Sequence, residues 1–576
     1  MKIKVIIPNK NYTDWEYYNA DTFDKLVITN NPNPVNLKLF CDDIFFINSN
    51  DNNLNNNDIS ITLVHSIIRS YKNIAGVLVM NKTYGRNNKD KLFYKCIPHD
   101  KRLPDFLIPI NIKKNNNFEK QSVNKYVTFK FDNWKEKHPI GILCQTIGVT
   151  DNLFNYYEYQ LFSKNLNLSI NEFTNKTAHS LKKNRTKFLI DEIFNKYKNI
   201  ENRLNEKIIS IDPNSCQDFD DALSIKNFSE SKNIVSIYIS NVSIVLDYLN
   251  LWDSFSERIS TIYLPDKKRP MLPSILSDNL CSLKENESRF AICMDLHFEN
   301  NNLINIEYKN VIIKVVKNLS YEEANNNKCE YYNNLFLFTK KICKKYKYLT
   351  DVKDSHDLVS YYMLFMNNKI AEYQEGFKNG IYRSVKQEKD PILPLNLPSD
   401  VVSFFKIFHS LSGQYSNFEN RTKHSYLYDK ESSYLHITSP IRRLVDLLNL
   451  IKFQQNLNKI ELSNLADEFY NKWLNRLDYI NITTRAIKKV QNNCNILNEI
   501  NSNQDLLNRS FKGYLFDKIV RNDGLFQYSV YLENLNFISK LIIKENYKNY
   551  ENKNFKIYIF LSEYEIKKKV RLKIKE

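Results

Sequence analysis

The sequence predicts an α+β protein of several domains, a mixed α/β body flanked by small β-barrels. Three observations carry this. At 576 residues, the chain is long enough for about four domains of roughly 150 residues each. Short alternating runs punctuated by proline and aromatics occupy its front and its end. Helical spacing of apolar residues is found only in the middle.

In chain order, Met1–Pro8 opens with a short apolar stretch, too short for a signal peptide. The first 57 residues have strand character in abbreviated form. Asn48–Asp58 is a polar, asparagine-rich tract that can bury nothing, so it is a loop or linker. Asn115–Asn117 and Asn325–Asn327 are read as local loop expansions. From about 59 to 165 short strands dominate. Tyr126–Phe131 alternates, with Val127, Phe129 and Phe131 on one face and Thr128 and Lys130 on the other. Between Ser180 and Lys207, Phe188, Leu189, Ile193 and Tyr197 recur at helical spacing, which predicts an amphipathic helix. A Ser439-Pro440 start signal predicts a helix over Ile441–Phe453. From Phe511 the chain turns β again, with Asp523-Gly524 as a hairpin turn. Lys569–Lys575 alternates basic and apolar residues. It is either a strand presenting cations to a phosphate backbone or an edge strand guarded by lysines.

Composition excludes several functions. The nine glycines include no GxGxxG loop and no phosphate loop ending in Gly-Lys. Nine cysteines form no CxxC pair, no HExxH occurs, and no Cys/His spacing suits zinc. No apolar run approaches the roughly 18 residues that span a bilayer. An intracellular protein, cytoplasmic or nuclear rather than secreted, is expected. A net charge of +17 makes a polyanion the first partner to test.

The segment Ile208–Ile225 is the most informative. An apolar strand delivers Asp212, Pro213 breaks it, and Asp218, Asp220 and Asp221 follow before a second apolar strand. Four carboxylates with no cation beside them in sequence repel one another and raise each other's pKa. A hard divalent cation relieves that, and oxygen-only ligands favour Mg²⁺, with Mn²⁺ as the alternative. An exposed acidic turn is the competing reading. An EF-hand loop is excluded, because the central Gly and terminal Glu are missing.

The same segment resembles the signature of the RNB family, the ribonuclease II and ribonuclease R exoribonucleases and the catalytic subunit of the eukaryotic exosome. Further stretches are similar in order and spacing: Tyr263-Leu-Pro-Asp, Pro270-Met-Leu-Pro, Leu276–Leu283 and Tyr434–Asp446. Phe93–Pro109, with Trp134 and His138–Gly141, resembles the second cold-shock barrel of eukaryotic-type and large-virus members. The resemblance implies a divergent or truncated cold-shock barrel at 1–57 and a second at 58–170. It implies a catalytic domain at 171–504 and an S1-like OB domain at 505–576. The three barrels would form a basic funnel admitting single strands.

The activity implied is processive 3′-to-5′ hydrolysis of single-stranded RNA to nucleoside 5′-monophosphates. By position, Asp212, Asp218, Asp220 and Asp221 would hold the metal, and loss of Asp220 would abolish cleavage. Arg442 would clamp phosphate, with Arg443 sharing the task and Asp446 placed to hold Arg442. Tyr263 would stack on terminal bases. Tyr434, His436 and Ser439 would join Arg442 and Arg443 in binding RNA. The partners implied are single-stranded RNA and RNA-decay proteins, with no membrane and a monomeric chain.

The sequence also departs from the family pattern. The HIADVS strand is here Tyr238–Ser243, losing a His and an Asp. Leu450-Ile451 replaces a His-Arg pair, and Tyr361 or Asn368 stands where bacterial members place a glutamate. A catalytically weak or inactive single-stranded RNA binder is therefore the rival reading. A DNA-directed nuclease is a third, since metal chemistry is indifferent to the sugar.

Overall fold

The computed structural model describes residues 1–28, 31–48, 60–111, 123–183, 188–229, 231–326, 329–349, 351–384, 393–408, 413–422 and 433–575. The asparagine tract beyond Asn48 and Asn115–Asn117 lie outside them. The chain divides into two compact units. One comprises residues 1–167, 264–266 and 489–576; the other comprises 168–263 and 267–488. Among the described residues no helix is long and apolar enough to cross a membrane.

The first unit holds three β structures. A five-stranded sheet takes its strands from Ile3–Ile6, Glu16–Asn19, Lys25–Leu26, Ile44–Ile47 and Ile61–His65. A closed barrel follows, built from Ile74–Arg86, Leu92–Pro98, Phe106–Ile110, Lys125–Asn133 and Ile140–Val149. Sheet and barrel share one core, where Val5, Phe40 and Phe45 meet Leu78, Phe106 and Phe129. Gly76 is required there, because a Cβ would come within 2.8 Å of the Ile97 carbonyl. Val127 and Phe129 point inward as expected, but Tyr126 and Thr128 are buried too. The reason is Leu153–Ser163, a helix whose Tyr159 stacks on Tyr126 with ring centroids 4.4 Å apart. The third structure is a sheet of Phe511–Val520, Phe526–Leu532, Phe537–Ile543, Asn552–Leu561 and Lys568–Ile574. Gly524 turns its first hairpin at φ +78°. Val570 and Leu572 face in, and Lys569 and Lys573 face out. Lys568 is buried; the Tyr156 hydroxyl accepts from its N–H at 3.1 Å and donates to its carbonyl at 3.0 Å.

The second unit is organised around another closed barrel of five strands: Ile200–Asp212, Asp221–Asn227, Lys232–Ser240, Ser288–Glu299 and Asn302–Ser320. The first and last run parallel and close it, from Ile200 beside Asn310 to Asp212 beside Ser320. Helices pack around it, among them Val242–Tyr248, Glu330–Ile342, Ser355–Gly376 and Leu444–Leu457. The helix expected over 180–207 is divided and shorter. Asn171–Lys183 and Leu189–Lys196 are helical, Leu189 and Ile193 are buried, and the barrel begins at Ile200.

Candidate active site

Each of the four aspartates stands at the same end of the second unit's barrel. Asp212 ends one strand, Asp221 begins its antiparallel neighbour, and Asp218 and Asp220 lie on the connection. That connection is pinned by its own sequence: Phe219 packs against the barrel core and donates its N–H to Ser282 Oγ at 3.0 Å.

The aspartates differ in what holds them. Asp220 is 2 % exposed; it accepts from the Ile441 N–H at 2.8 Å and from Arg442 Nε at 3.1 Å. Asp218 is buried; it accepts from the Tyr263 hydroxyl at 2.8 Å and from Lys268 Nζ at 2.9 Å. Asp212 and Asp221 are half-buried and open. The Asp212 Oδ2 atom is buried without a hydrogen-bond partner. Among the described residues no hydrogen bond reaches the Asp221 carboxylate. The site is therefore two clamped carboxylates and two more lightly held, Asp212 receiving the Cys216 thiol on Oδ1 at 3.8 Å.

Electrostatics follow the same division. Burial, only partly offset by Arg442, pushes Asp220 up to about 8. Burial also raises Asp212 and Asp221, and each carboxylate is raised further by the cluster around it. An orphaned buried oxygen and mutually repelling acids fit a divalent cation. The fit is to a cation shared with substrate. Among the described residues only Asp295, His297 and Glu307 bring three ligand-type atoms within 4.8 Å of one another, so the quartet is no closed cage. Mg²⁺ is commonly held in that way, by one or two carboxylates plus phosphate oxygens and water. The Asp295 group is an ion-pair network instead, with Arg203 at 2.6 Å and Lys309 at 3.5 Å from Asp295 Oδ2.

The arginine segment departs from expectation. Its helix starts at Leu444, three residues late, because the Ile441 N–H is committed to Asp220 and Arg443 bridges to Ser260. Asp446 consequently holds Arg443, at 2.8 Å, rather than Arg442. Arg442 is fixed by Asp220 and Ser439 Oγ, and its side chain stays 42 % exposed. Ser439 is buried and its Oγ accepts from both arginines. Tyr434 is likewise buried, with its hydroxyl accepting from Asn367 at 3.0 Å. His436 is half-buried beside the Tyr415 hydroxyl at 2.8 Å. Tyr263 is 37 % exposed, leaving ring surface available while its hydroxyl holds Asp218.

Sequence reasoning missed two residues here. Lys268 lies opposite Tyr263 in a two-stranded hairpin and reaches both Asp218 and Asp278. The turn-forming Pro265-Asp266, directly after Tyr263-Leu264, was the available signal. Tyr321 follows the barrel's last strand, where a Ser320/Glu323 capping box fixes it. Burial, then Asp221 and Asp212, push its phenol up to about 12.

Residues 200–334 match the RNB domain, and residues 93–158 match the Dis3-like cold-shock domain 2. In these two segments the chain is similar to the RNB ribonucleases. It is 30 % identical over 179 residues to ribonuclease R of Ureaplasma parvum, a match covering 30 % of this chain and 24 % of that protein. The aligned part thus spans about a quarter of that curated relative. In fold it resembles Mycoplasma genitalium RNase R, solved with ribose-methylated single-stranded RNA. The TM-score is 0.69 at 17 % identity, covering 99 % of this chain and 100 % of that one. It also resembles yeast Ssd1, described as a pseudonuclease, with a TM-score of 0.58 at 13 % identity over 96 % and 80 % of the two chains.

The departures from the RNB pattern have partners other than the four aspartate carboxylates, although the strand of Tyr238 pairs with that of Asp221. Tyr238 is inside the barrel, bonded to Glu206 and Ser224. Asn241 caps a helix and bonds Asn310 at 2.9 Å. Leu450 and Ile451 are core, and Tyr361 and Asn368 are buried with backbone and tyrosine partners.

Proposed function

We propose that the chain is a divalent-metal-dependent 3′-to-5′ exoribonuclease that hydrolyses single-stranded RNA to nucleoside 5′-monophosphates. One observation carries this reading. Two open aspartates, Asp212 and Asp221, stand beside two that are clamped by a tyrosine, a lysine and the accessible Arg442.

Asp212 and Asp221 would hold Mg²⁺, with Asp220 and Asp218 shaping the site from behind. When bound, that ion supplies Lewis acidity and a water of lowered pKa. Arg442 binds a phosphate oxygen with the guanidinium edge that Asp220 leaves open, and the buried Asp220 keeps it aimed. Arg443, tied to Asp446, flanks it. Tyr263 stacks on a base without regard to identity, worth roughly 1–3 kcal/mol. In the first unit, Lys101, Lys164, Lys489, Lys567, Lys569 and Arg571 crowd one another enough to depress Lys567 and Lys569, after burial. Such a patch favours a polyanion backbone.

A second reading is a non-catalytic RNA binder, which the likeness to a pseudonuclease supports. One assay separates the two. Purified protein is incubated with 5′-labelled single-stranded RNA, with and without Mg²⁺, beside Asp220→Asn. Ladders shortening to a few nucleotides only with Mg²⁺, and absent in the variant, support the enzyme. A shifted band with no products in any lane supports the binder.

A further inference from the structure

Lys268 occupies an unusual place for a lysine. Its ammonium lies 2.9 Å from Asp218 Oδ1 and 2.8 Å from Asp278 Oδ1. Tyr263, its partner across the hairpin, donates to the other oxygen of Asp218 at 2.8 Å. Both oxygens of Asp218 are thus engaged. Asp278 is itself fixed, in a π-helical turn over Leu276–Leu280, where Ser277 Oγ donates to it at 2.6 Å. Such turns occur often at functional sites. A cation bridging Asp218 and Asp278 would have to sit where this ammonium sits. By contrast, the Asp212 Oδ2 atom has no partner, and no hydrogen bond reaches Asp221 among the described residues.

We propose that Lys268 stands in for a second divalent cation, confining this site to a single ion seated on Asp212 and Asp221. The proposal rests on the metal-dependent reading above. Two-metal sites place ions about 3.5–4 Å apart, one on the attacking and one on the leaving oxygen. Here the second positive charge is covalently part of the chain. Lys268 is a positioning residue: it acts by holding Asp218 and denying that carboxylate to a metal. A lysine suits the task, as a compact ammonium with three donors can serve two carboxylates at once.

The test counts Mn²⁺ bound per full-length chain by electron paramagnetic resonance, independently of turnover. Wild type takes up a single ion, and Lys268→Arg does the same. Lys268→Met frees Asp218 and Asp278 and takes up a second. Asp218→Asn retains the single ion with less than about a threefold change in affinity, while Asp212→Asn loses it. This second pair of variants keeps the test decisive even if Lys268→Met does not fold. Two ions in wild type, no gain in folded Lys268→Met, or loss of the ion in Asp218→Asn overturns the proposal. If these counts hold but RNA is not shortened, the exonuclease reading fails and the role of Lys268 stands. If RNA is shortened and wild type binds two ions, the reverse is true.

Discussion

Two closed five-stranded barrels lie in this chain, and their interiors have little in common. Each closes through one parallel pairing, Ile140 beside Leu107 in one and Ile200–Asp212 along Asn310–Ser320 in the other. The first is filled with Leu78, Cys96, Phe106, Val127 and Phe129. The second is apolar only toward the acid cluster, through Ile208, Ala222, Ala291 and Val311. Farther along, Arg203 grips Asp295 at 2.8 and 2.6 Å, with Ser236 adding a bond at 2.6 Å. A barrel that only has to close can use packing alone. One that carries four acids at one end is additionally fastened by directional bonds.

The largest effect expected from breaking the second barrel's end is catalytic. Asp220→Asn should lower RNA shortening on the order of 10³-fold, about 4 kcal/mol, with RNA retention in gel shifts intact. The next effect is on stability and separates the interiors. Asp295→Ala takes from Arg203 its buried partner, leaving Glu201 and Glu206 at Nε, and should cost about 3 kcal/mol in urea melts. Phe106→Ala in the first barrel should cost a similar ~3–5 kcal/mol through its cavity. Their pH responses should differ. Asp295 is held well below the usual carboxylate range; burial opposes this, but Arg203 and Ser236 outweigh it. Its contribution is therefore present at neutral pH and lost as pH falls below about 4. The Asp295→Ala penalty should shrink there, and the Phe106→Ala penalty should not.

The acid cluster titrates with the opposite sense. Asp212, Asp220 and Asp221 are raised, Asp220 to about 8, so their cost to the folded state is full above that pH. In chelator, stability should rise as pH falls from about 8 toward 5, by about 1.4 kcal/mol per pH unit for each proton taken up. Added Mn²⁺ should raise the melting temperature more at pH 8 than at pH 6. A flat profile in chelator would contradict the raising of these acids by burial and by one another. Tyr263→Ala should weaken RNA binding by roughly 1–3 kcal/mol, and Tyr263→Phe by far less. Smallest of all, Lys569→Ala in the first unit should lower affinity a few-fold and reduce the salt slope by about 1.

Much of this was readable from residue order. Asp212 and Asp221 bracket a break between apolar runs, so the strand ends and the clustering of acids followed from local pattern. What failed was long-range. Nothing near Thr128 says that a helix of tyrosines covers its face. Nothing near Pro440 says that the next N–H is spent on a carboxylate 221 residues earlier, delaying a helix. Lys268 escaped notice for the same reason, since its partners Asp218 and Asp278 lie 50 and 10 residues away.

One feature of the first unit bears on how the protein is made. The hydroxyl of Tyr156 closes on the backbone of Lys568, and that of Tyr157 on Asn498 at 3.3 Å. During synthesis the early half of this unit must wait for its late half while residues 168–488 emerge. At about 5–20 residues per second, that interval is on the order of 15–60 s. For that time a row of aromatic side chains faces solvent without its cover, an opening for chaperones or for self-association that no property of the finished molecule discloses.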